Sequence, residues 1–267
     1  MILREAIARL YAAGIEDARR EAKLIFSELA GKSELDMLSP ECKSDDAVLI
    51  SAIERRCKRE PLQYILGKVG FYREEYLLGE CLIPRADTEI LVDYAVGRIP
   101  AGESFIDLCT GSGCVAISTL CNTAHTRAVA VDISDGALEC ARRNAEHNKV
   151  ADRLTLVHAD VLCESIEGEF FALLSNPPYV KEAVYATLEP EIFHEPKIAF
   201  VGGEDGLDFY KRIIPLYKDK IKRGGFMALE IGYDQGAELE KIACSYGLDI
   251  KILKDYSGND RVAVIDL

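Results

Sequence analysis

Ser104-Phe105-Ile106-Asp107-Leu108-Cys109-Thr110-Gly111-Ser112-Gly113-Cys114 decides how the whole chain is read. Ser104–Leu108 reads as a strand, residues 109–113 as a loop, and residues 114–120 as a helix. Gly111-Ser112-Gly113-Cys114-Val115-Ala116 fits the pattern G-x-G-x-x-A, in which glycines let the backbone turn tightly and approach a ligand. The pattern alone also fits a dinucleotide site or a tight structural turn, so its surroundings must choose.

Downstream, strands and helices alternate. Residues 127–131 form a strand ending at Asp132, and Ser134 caps a helix with Ala137, Leu138, Ala141 and Ala145 on one face. Leu154–His158 and Phe170–Ser175 are further strands. Another, over residues 226–231, follows a turn at Arg223-Gly224-Gly225. A helix over residues 234–246 precedes two closing strands at 250–253 and 262–265. Such alternation predicts an α/β domain with a mainly parallel sheet and helices on both faces.

Upstream, the pattern is helical. Ile2, Leu3, Ala6, Ile7, Leu10 and Tyr11 recur at helical spacing up to Gly14. Asp17 is placed to cap a second helix with Ala18, Ala22, Ile25, Phe26 and Leu29 on one face, ended by Gly31. A third spans residues 44–59, with Val48, Leu49, Ala52 and Ile53 inward, and Pro61 stops it. Its basic run, Arg55-Arg56-Cys57-Lys58-Arg59, could touch an acidic partner or RNA, but reads first as a solvated helix face. Gly67, Gly70 and Gly79 then punctuate short apolar pieces like those of a hairpin. Pro84 and the acids Asp87 and Glu89 open the next helix. The expected layout is a small helical bundle at 1–66, a β-hairpin linker at 67–83 and the α/β domain at 84–267.

Composition narrows the function classes. The chain has 267 residues, 49% of them hydrophobic, enough for one large domain and a smaller one. Residues 1–70 carry 12 basic and 12 acidic side chains and residues 71–267 carry 20 and 33, so the net charge of −13 belongs to the second part. An acidic body opposes affinity for a phosphate backbone, and no stable nucleic-acid partner is expected. No apolar run is long enough for a bilayer. The start lacks the layout of a signal peptide, so the expected compartment is the cytoplasm, with no membrane partner. The nine scattered cysteines include no C-x-x-C, and the four histidines have no ligand spacing, so no metal is expected. The layout needs no partner for folding, and a monomer is expected.

The candidate site collects at the strand ends. Asp107, just before the glycine loop, would repel a pyrophosphate but suits the ammonium of S-adenosylmethionine. Asp132 is placed for ribose hydroxyls, and Asp160, with Val161 beside it, for the adenine amino group. With the glycine loop, Asp107, Asp132, Asp160 and Val161 make up the expected donor side of the site. The fourth strand ends in Asn176-Pro177-Pro178-Tyr179, since prolines cannot continue a ladder. The Asn176 side-chain oxygen and the Pro177 carbonyl can accept both N–H bonds of an amide or a base amine. Tyr179 can stack on that planar group. Asn176, Pro177 and Tyr179 are therefore the catalytic candidates, and Asn176, Pro177, Pro178, Tyr179, Arg85 and Thr88 face the substrate.

With these residues in place, the chain resembles the release factor glutamine methyltransferases (the HemK/PrmC type) over nearly its whole length. The resemblance is carried by Pro61-Leu62-Gln63-Tyr64-Ile65-Leu66-Gly67, Leu82-Ile83-Pro84-Arg85, Asp87-Thr88-Glu89, residues 107–113 and Asn176-Pro177-Pro178-Tyr179. Glu195-Pro196, residues 202–207, Glu230-Ile231-Gly232 and Asp260-Arg261-Val262 agree. It implies a class I (Rossmann-like) S-adenosylmethionine-dependent methyltransferase domain behind a helical substrate-recognition domain. It also implies N5-methylation of the glutamine in the Gly-Gly-Gln loop of class I peptide chain release factors, with S-adenosylhomocysteine as product. By the same resemblance Cys109, Thr110, Gly111, Ser112, Gly113, Asp132 and Asn176 contact the donor, and Asn176, Pro177, Pro178 and Tyr179 hold the glutamine. Cys109 departs from the family, where many members have glycine, and should fit if its φ is negative. An N6-adenine methyltransferase acting on nucleic acid is the alternative, but the chain shows neither a target-recognition domain nor a basic surface. A donor-binding module without activity would leave Asn176–Tyr179 unused, and an NAD-dependent oxidoreductase is disfavoured by Asp107.

Overall fold

The computed structural model describes residues 1–39 and 41–267, which divide into two compact units. The first comprises Met1–Lys68 together with Glu189–His194, a segment from within the stretch assigned by sequence to the α/β domain. Its helices are α1 (Leu3–Ala12), α2 (Ala18–Ala30), α3 (Ala47–Cys57) and α4 (Leu62–Leu66). Leu3, Ala6 and Leu10 of α1 meet Ala22, Ile25 and Phe26 of α2 and Leu49, Ala52 and Ile53 of α3 in one buried core. Gly14 and Gly31 end the first two helices in left-handed backbone, at φ +78° and +60°.

Three local expectations change. Asp17 does not cap α2 with its side chain. Its carbonyl accepts from Glu21, and its carboxylate pairs with exposed Arg20 at 3.8 Å. α3 starts at Ala47 because Asp46 is its cap, accepting from Val48 N at 2.8 Å, which leaves Val48 outside the core at 62% exposure. The basic run is also more than a solvated face. Arg56 is buried between Glu21 at 2.6 Å and Glu191 at 3.0 Å, and Arg59 reaches Glu191 at 2.8 Å. Arg55 pairs with Glu60, and Lys58 is the exposed cation of the run. Buried charges need such partners, and these pairs hold Glu189–His194 in the helical unit.

The second unit is a three-layer α/β domain. A hairpin of β1 (Lys68–Phe71) and β2 (Glu74–Leu77) leads into it. The large sheet contains β3 (Ser104–Leu108), β4 (Arg127–Asp132), β5 (Leu154–His158), β6 (Phe170–Ser175), β7 (Ile221–Glu230), β8 (Ile250–Lys254) and β9 (Asp260–Asp266). Their order is β5-β4-β3-β6-β7-β9-β8, and only β9 runs antiparallel to its neighbours. Helices α5 (Glu89–Arg98), α6 (Cys114–Cys121) and α7 (Asp135–His147) come between the early strands. The short α8 (Glu182–Tyr185), then α9 (Asp208–Tyr217) and α10 (Gly236–Ser245), complete the unit.

Side-chain alternation along the strands produces the layers. Phe105, Ala130, Ala172, Leu174 and Ala228 join Leu91 and Val92 of α5 and Ala116 and Ile117 of α6 in one core. The intervening Ile106, Leu108, Leu173, Met227 and Leu229 join Tyr210, Ile213 and Ile214 of α9 and Leu239 of α10 in the other. Two features were hidden in the sequence. Arg223-Gly224-Gly225 lies inside β7 as an irregularity in its pairing with β6, not before it. A Cβ at Gly225 would stand 2.2 Å from the Phe171 carbonyl oxygen, so only glycine fits. α9 was not anticipated because Pro215 interrupts its last turn, although Tyr210, Ile213, Ile214 and Tyr217 line its buried face.

Candidate active site

The chain leaves β3 for β4 and β5 on one side and returns to β6 on the other. The loops after β3 and β6 therefore diverge, and a crevice opens at the carboxyl ends of the strands. A cavity of about 310 Å³ lies there. Its wall includes Cys109, Thr110, Gly111, Ser112, Asp132, Asp160 and Val161. Asn176, Pro178, Arg85 and Thr88 line the same space. Asp107, Gly113, Pro177 and Tyr179 lie outside that lining.

The glycine loop is built for close approach. Gly111 has φ +55° and open space where a side chain would stand. A Cβ at Gly113 would come within 2.8 Å of Ile117 and 3.1 Å of Ala141, so this glycine serves the packing of α6 on α7. Cys109 has φ +58°, so the condition under which a cysteine fits there without strain, a negative φ, is not met. The chain leaves β3 through a left-handed residue, a geometry that costs a side-chain-bearing residue about 1–2 kcal/mol.

Each acid is partly held by the loop beside it. Asp107 is 1% exposed, and its Oδ2 accepts from Thr110 Oγ1 at 2.6 Å and Ala116 N at 3.2 Å. Its Oδ1 is buried with no hydrogen-bond partner among the described residues. Burial first, then the charge of Asp132, pushes the Asp107 carboxyl up to about 7. Asp132 accepts from Gly111 N at 2.8 Å and Ser134 N at 2.9 Å, and burial raises its pKa. Asp160 accepts from Leu162 N at 2.9 Å.

The Asn-Pro-Pro-Tyr turn is pinned from several sides. Ser175 Oγ donates to the Leu108 carbonyl at 2.7 Å, tying the ends of β3 and β6 together. Asn176 Nδ2 donates to buried Thr88 Oγ1 at 3.1 Å, which leaves Oδ1 as the acceptor end of the amide. Gln235 Nε2 donates to the carbonyls of Tyr179 and Gly206, each at 3.1 Å. A Cβ on Gly202 would stand 2.3 Å from the Pro178 carbonyl oxygen, so that glycine permits the backbone contact. Tyr179 OH donates to Glu230 Oε1 at 3.2 Å, and burial beside that carboxylate raises the phenol's pKa.

Sequence reasoning assigned no role to Glu195, Glu230 or Gln235. Glu195 is buried, accepts from Ile83 N at 2.9 Å and pairs with Arg85 at the cavity wall. Arg261 reaches Asp87 at 3.2 Å and Asp255 at 3.0 Å. The available signal was a charged residue closing an apolar strand, as Glu230 does after Phe226–Leu229. Among the described residues, no three His, Cys, Asp or Glu side chains gather as a metal centre, and no helix is long and apolar enough to cross a membrane.

Residues 1–67 match the PrmC N-terminal domain and residues 86–201 the methyltransferase small domain. The release factor glutamine methyltransferase of Agrobacterium fabrum is 36% identical over 267 residues, covering 95% of this chain and 92% of that protein. That of Thermodesulfovibrio yellowstonii is 38% identical over 256 residues, covering 92% and 91%. A methyltransferase from Pyrococcus furiosus shares the fold, with a TM-score of 0.52, 18% identity, and coverage of 74% of this chain and 87% of that one. A helical first unit followed in the sequence by an α/β methyltransferase unit, aligned along almost its full length with such relatives, places this chain in the release factor glutamine methyltransferase family.

Proposed function

We propose that this methyltransferase transfers a methyl group from S-adenosylmethionine to the side-chain nitrogen of the glutamine in the Gly-Gly-Gln loop of class I peptide chain release factors. The observation that carries the reading is the hydrogen bond from Asn176 Nδ2 to Thr88, because it commits the amide's oxygen to the role of acceptor at the wall of the cavity. The residues fit the donor. Asp107 lies outside the cavity lining but is bonded to Thr110, which lines it; its buried Oδ1, with no partner among the described residues, suits an ammonium group, and Gly111 leaves room for close approach. Asp132 and Asp160 line the cavity as further acceptors. The donor, when bound, supplies an electrophilic methyl.

The protein's part is to bind, orient and exclude water. An amide nitrogen is a poor nucleophile because its lone pair is delocalised. Asn176 Oδ1 and the Pro177 carbonyl, accepting its two N–H bonds, turn that lone pair toward the methyl and favour positive charge on nitrogen as the bond forms. Holding the two reactants in line contributes about 7–11 kcal/mol. Thr88 acts through Asn176, and Arg85, fixed by Glu195, serves the substrate side of the cavity. The bundle at 1–66 is the recognition domain in this reading. The enzyme acts as a monomer in the cytoplasm with no stable nucleic-acid partner. Incubation with labelled S-adenosylmethionine, a release factor and its Gln→Ala loop variant tests the reading: label goes to the first factor and not to the second. Equal labelling of both, or labelling of DNA alone, refutes it.

A further inference from the structure

Glu230 ends β7, where Leu229 pairs with Ser175, the residue before Asn176. It is 2% exposed. Oε1 accepts from Tyr179 OH, and its backbone carbonyl accepts from Tyr210 OH at 2.7 Å. Oε2 is buried and makes no hydrogen bond of normal geometry among the described residues. Thr88 and Arg261 both lie close enough to favour the charged carboxylate. A buried carboxylate oxygen with no donor is costly and asks for a reason.

Hydrogen bookkeeping supplies one. A threonine hydroxyl has one proton and two lone pairs, whereas an ionised carboxylate only accepts. Thr88 Oγ1 already accepts from Asn176 Nδ2, so its own proton is free to point elsewhere. We propose that Glu230 is a positioning residue: its carboxylate draws the Thr88 proton and so fixes Asn176 with its oxygen, not its amino group, presented to the substrate amide. This rests on the functional reading above. Without the carboxylate, Thr88 can turn and donate to Asn176, and the amide then offers N–H where an acceptor is needed.

The arrangement is sensitive to protonation. The groups facing Glu230 among the described residues are Asp87 and Thr88 before α5, Cys114 at the start of α6, Tyr179 after β6, Tyr210 on α9 and Arg261 on β9. Burial outweighs the help of Thr88 and Arg261 and pushes the carboxyl up to about 7. The protonated acid can itself donate to Thr88, which reverses the direction of the chain. Methyl transfer should therefore fall as the pH drops through neutrality.

The test measures kcat and KM on the release factor at saturating donor, from about pH 5.5 to 9, for the wild type, Glu230→Gln and Thr88→Val. Donor dissociation constants are measured alongside. Glu230→Gln is expected to lower kcat at alkaline pH by about 10- to 100-fold, with KM and donor affinity changed less than about 2-fold. Its acid limb should be flat. Thr88→Val should behave alike, and the double variant should lose no more than either single one. Wild-type transfer together with an unchanged acid limb in Glu230→Gln, or losses that multiply in the double variant, overturns the role of Glu230 alone. If Glu230→Gln does not fold, Thr88→Val decides by the same profile: a flat limb supports the proposal and an unchanged one overturns it. A wild type that places no label on the release factor overturns the functional reading and this proposal with it.

Discussion

Asn176 Nδ2 donates to Thr88 Oγ1 across 3.1 Å, joining the turn after β6 to the 3₁₀ turn before α5. An amide held by one end has a defined other end, so the contact converts a loop into an oriented acceptor. Asn176→Ala should therefore lose methyl transfer by about 100- to 1,000-fold, the usual cost of deleting one preorganised polar group. Donor binding, measured by calorimetry, should stay within a few fold. Parallel losses in both would place Asn176 chiefly in the donor pocket.

Asp132 is expected to behave in the opposite way. It braces Gly111 and Ser134 and lines the cavity. Asp132→Ala should weaken donor affinity by about 10-fold or more, since a charged hydrogen bond is worth about 1.5–3 kcal/mol. An unchanged dissociation constant would refute its role toward the ribose.

Asp107 links stability to pH. Its carboxyl stands at about 7 against an ordinary 3.8, so the folded state prefers the protonated acid. That contribution is fully present below about pH 4 and is lost as the pH rises through about 7. Asp107→Asn imitates the neutral acid at every pH. Its Tm relative to the wild type should rise between about pH 5 and pH 8, by the equivalent of a few kcal/mol at most. A difference independent of pH contradicts this account of Asp107.

Cys109 sets two effects against each other. Replacing it by glycine relieves a left-handed backbone at φ +58° but removes a side chain packed against the second core of the α/β unit. The first is worth about 1–2 kcal/mol and the second about 1, so Cys109→Gly should change stability by less than about 1 kcal/mol. Cys109→Val keeps the bulk and adds β-branching, and should destabilise by about 2 kcal/mol or more. Chemical denaturation measures both. Equal losses for the two would show that packing dominates.

Much of this was legible beforehand where one signal acted alone. Ser104–Leu108, Leu154–His158 and Phe170–Ser175 begin and end as read, because apolar runs met loops punctuated by glycine, acid or proline. Competing signals concealed the rest. Gly224-Gly225 carries turn chemistry but sits in β7, since a close backbone needs glycine too. Pro215 masked α9, whose apolar spacing was otherwise regular. Arg56 looked like surface until Glu191, distant in the sequence, was seen beside it. At the site, the residues of the glycine loop and the turn were readable from spacing. Glu230 and Glu195 were not, because their meaning lies in partners far along the chain.

The central claim is that Asn176 orients the amide of one glutamine toward a bound donor. The most direct measurement is tandem mass spectrometry of the release factor's Gly-Gly-Gln peptide after incubation with S-adenosylmethionine and either the wild type or Asn176→Ala. The account predicts one added methyl on that glutamine's side-chain nitrogen with the wild type and almost none with the variant. An unmethylated glutamine with the wild type, or equal methylation by both, would contradict it.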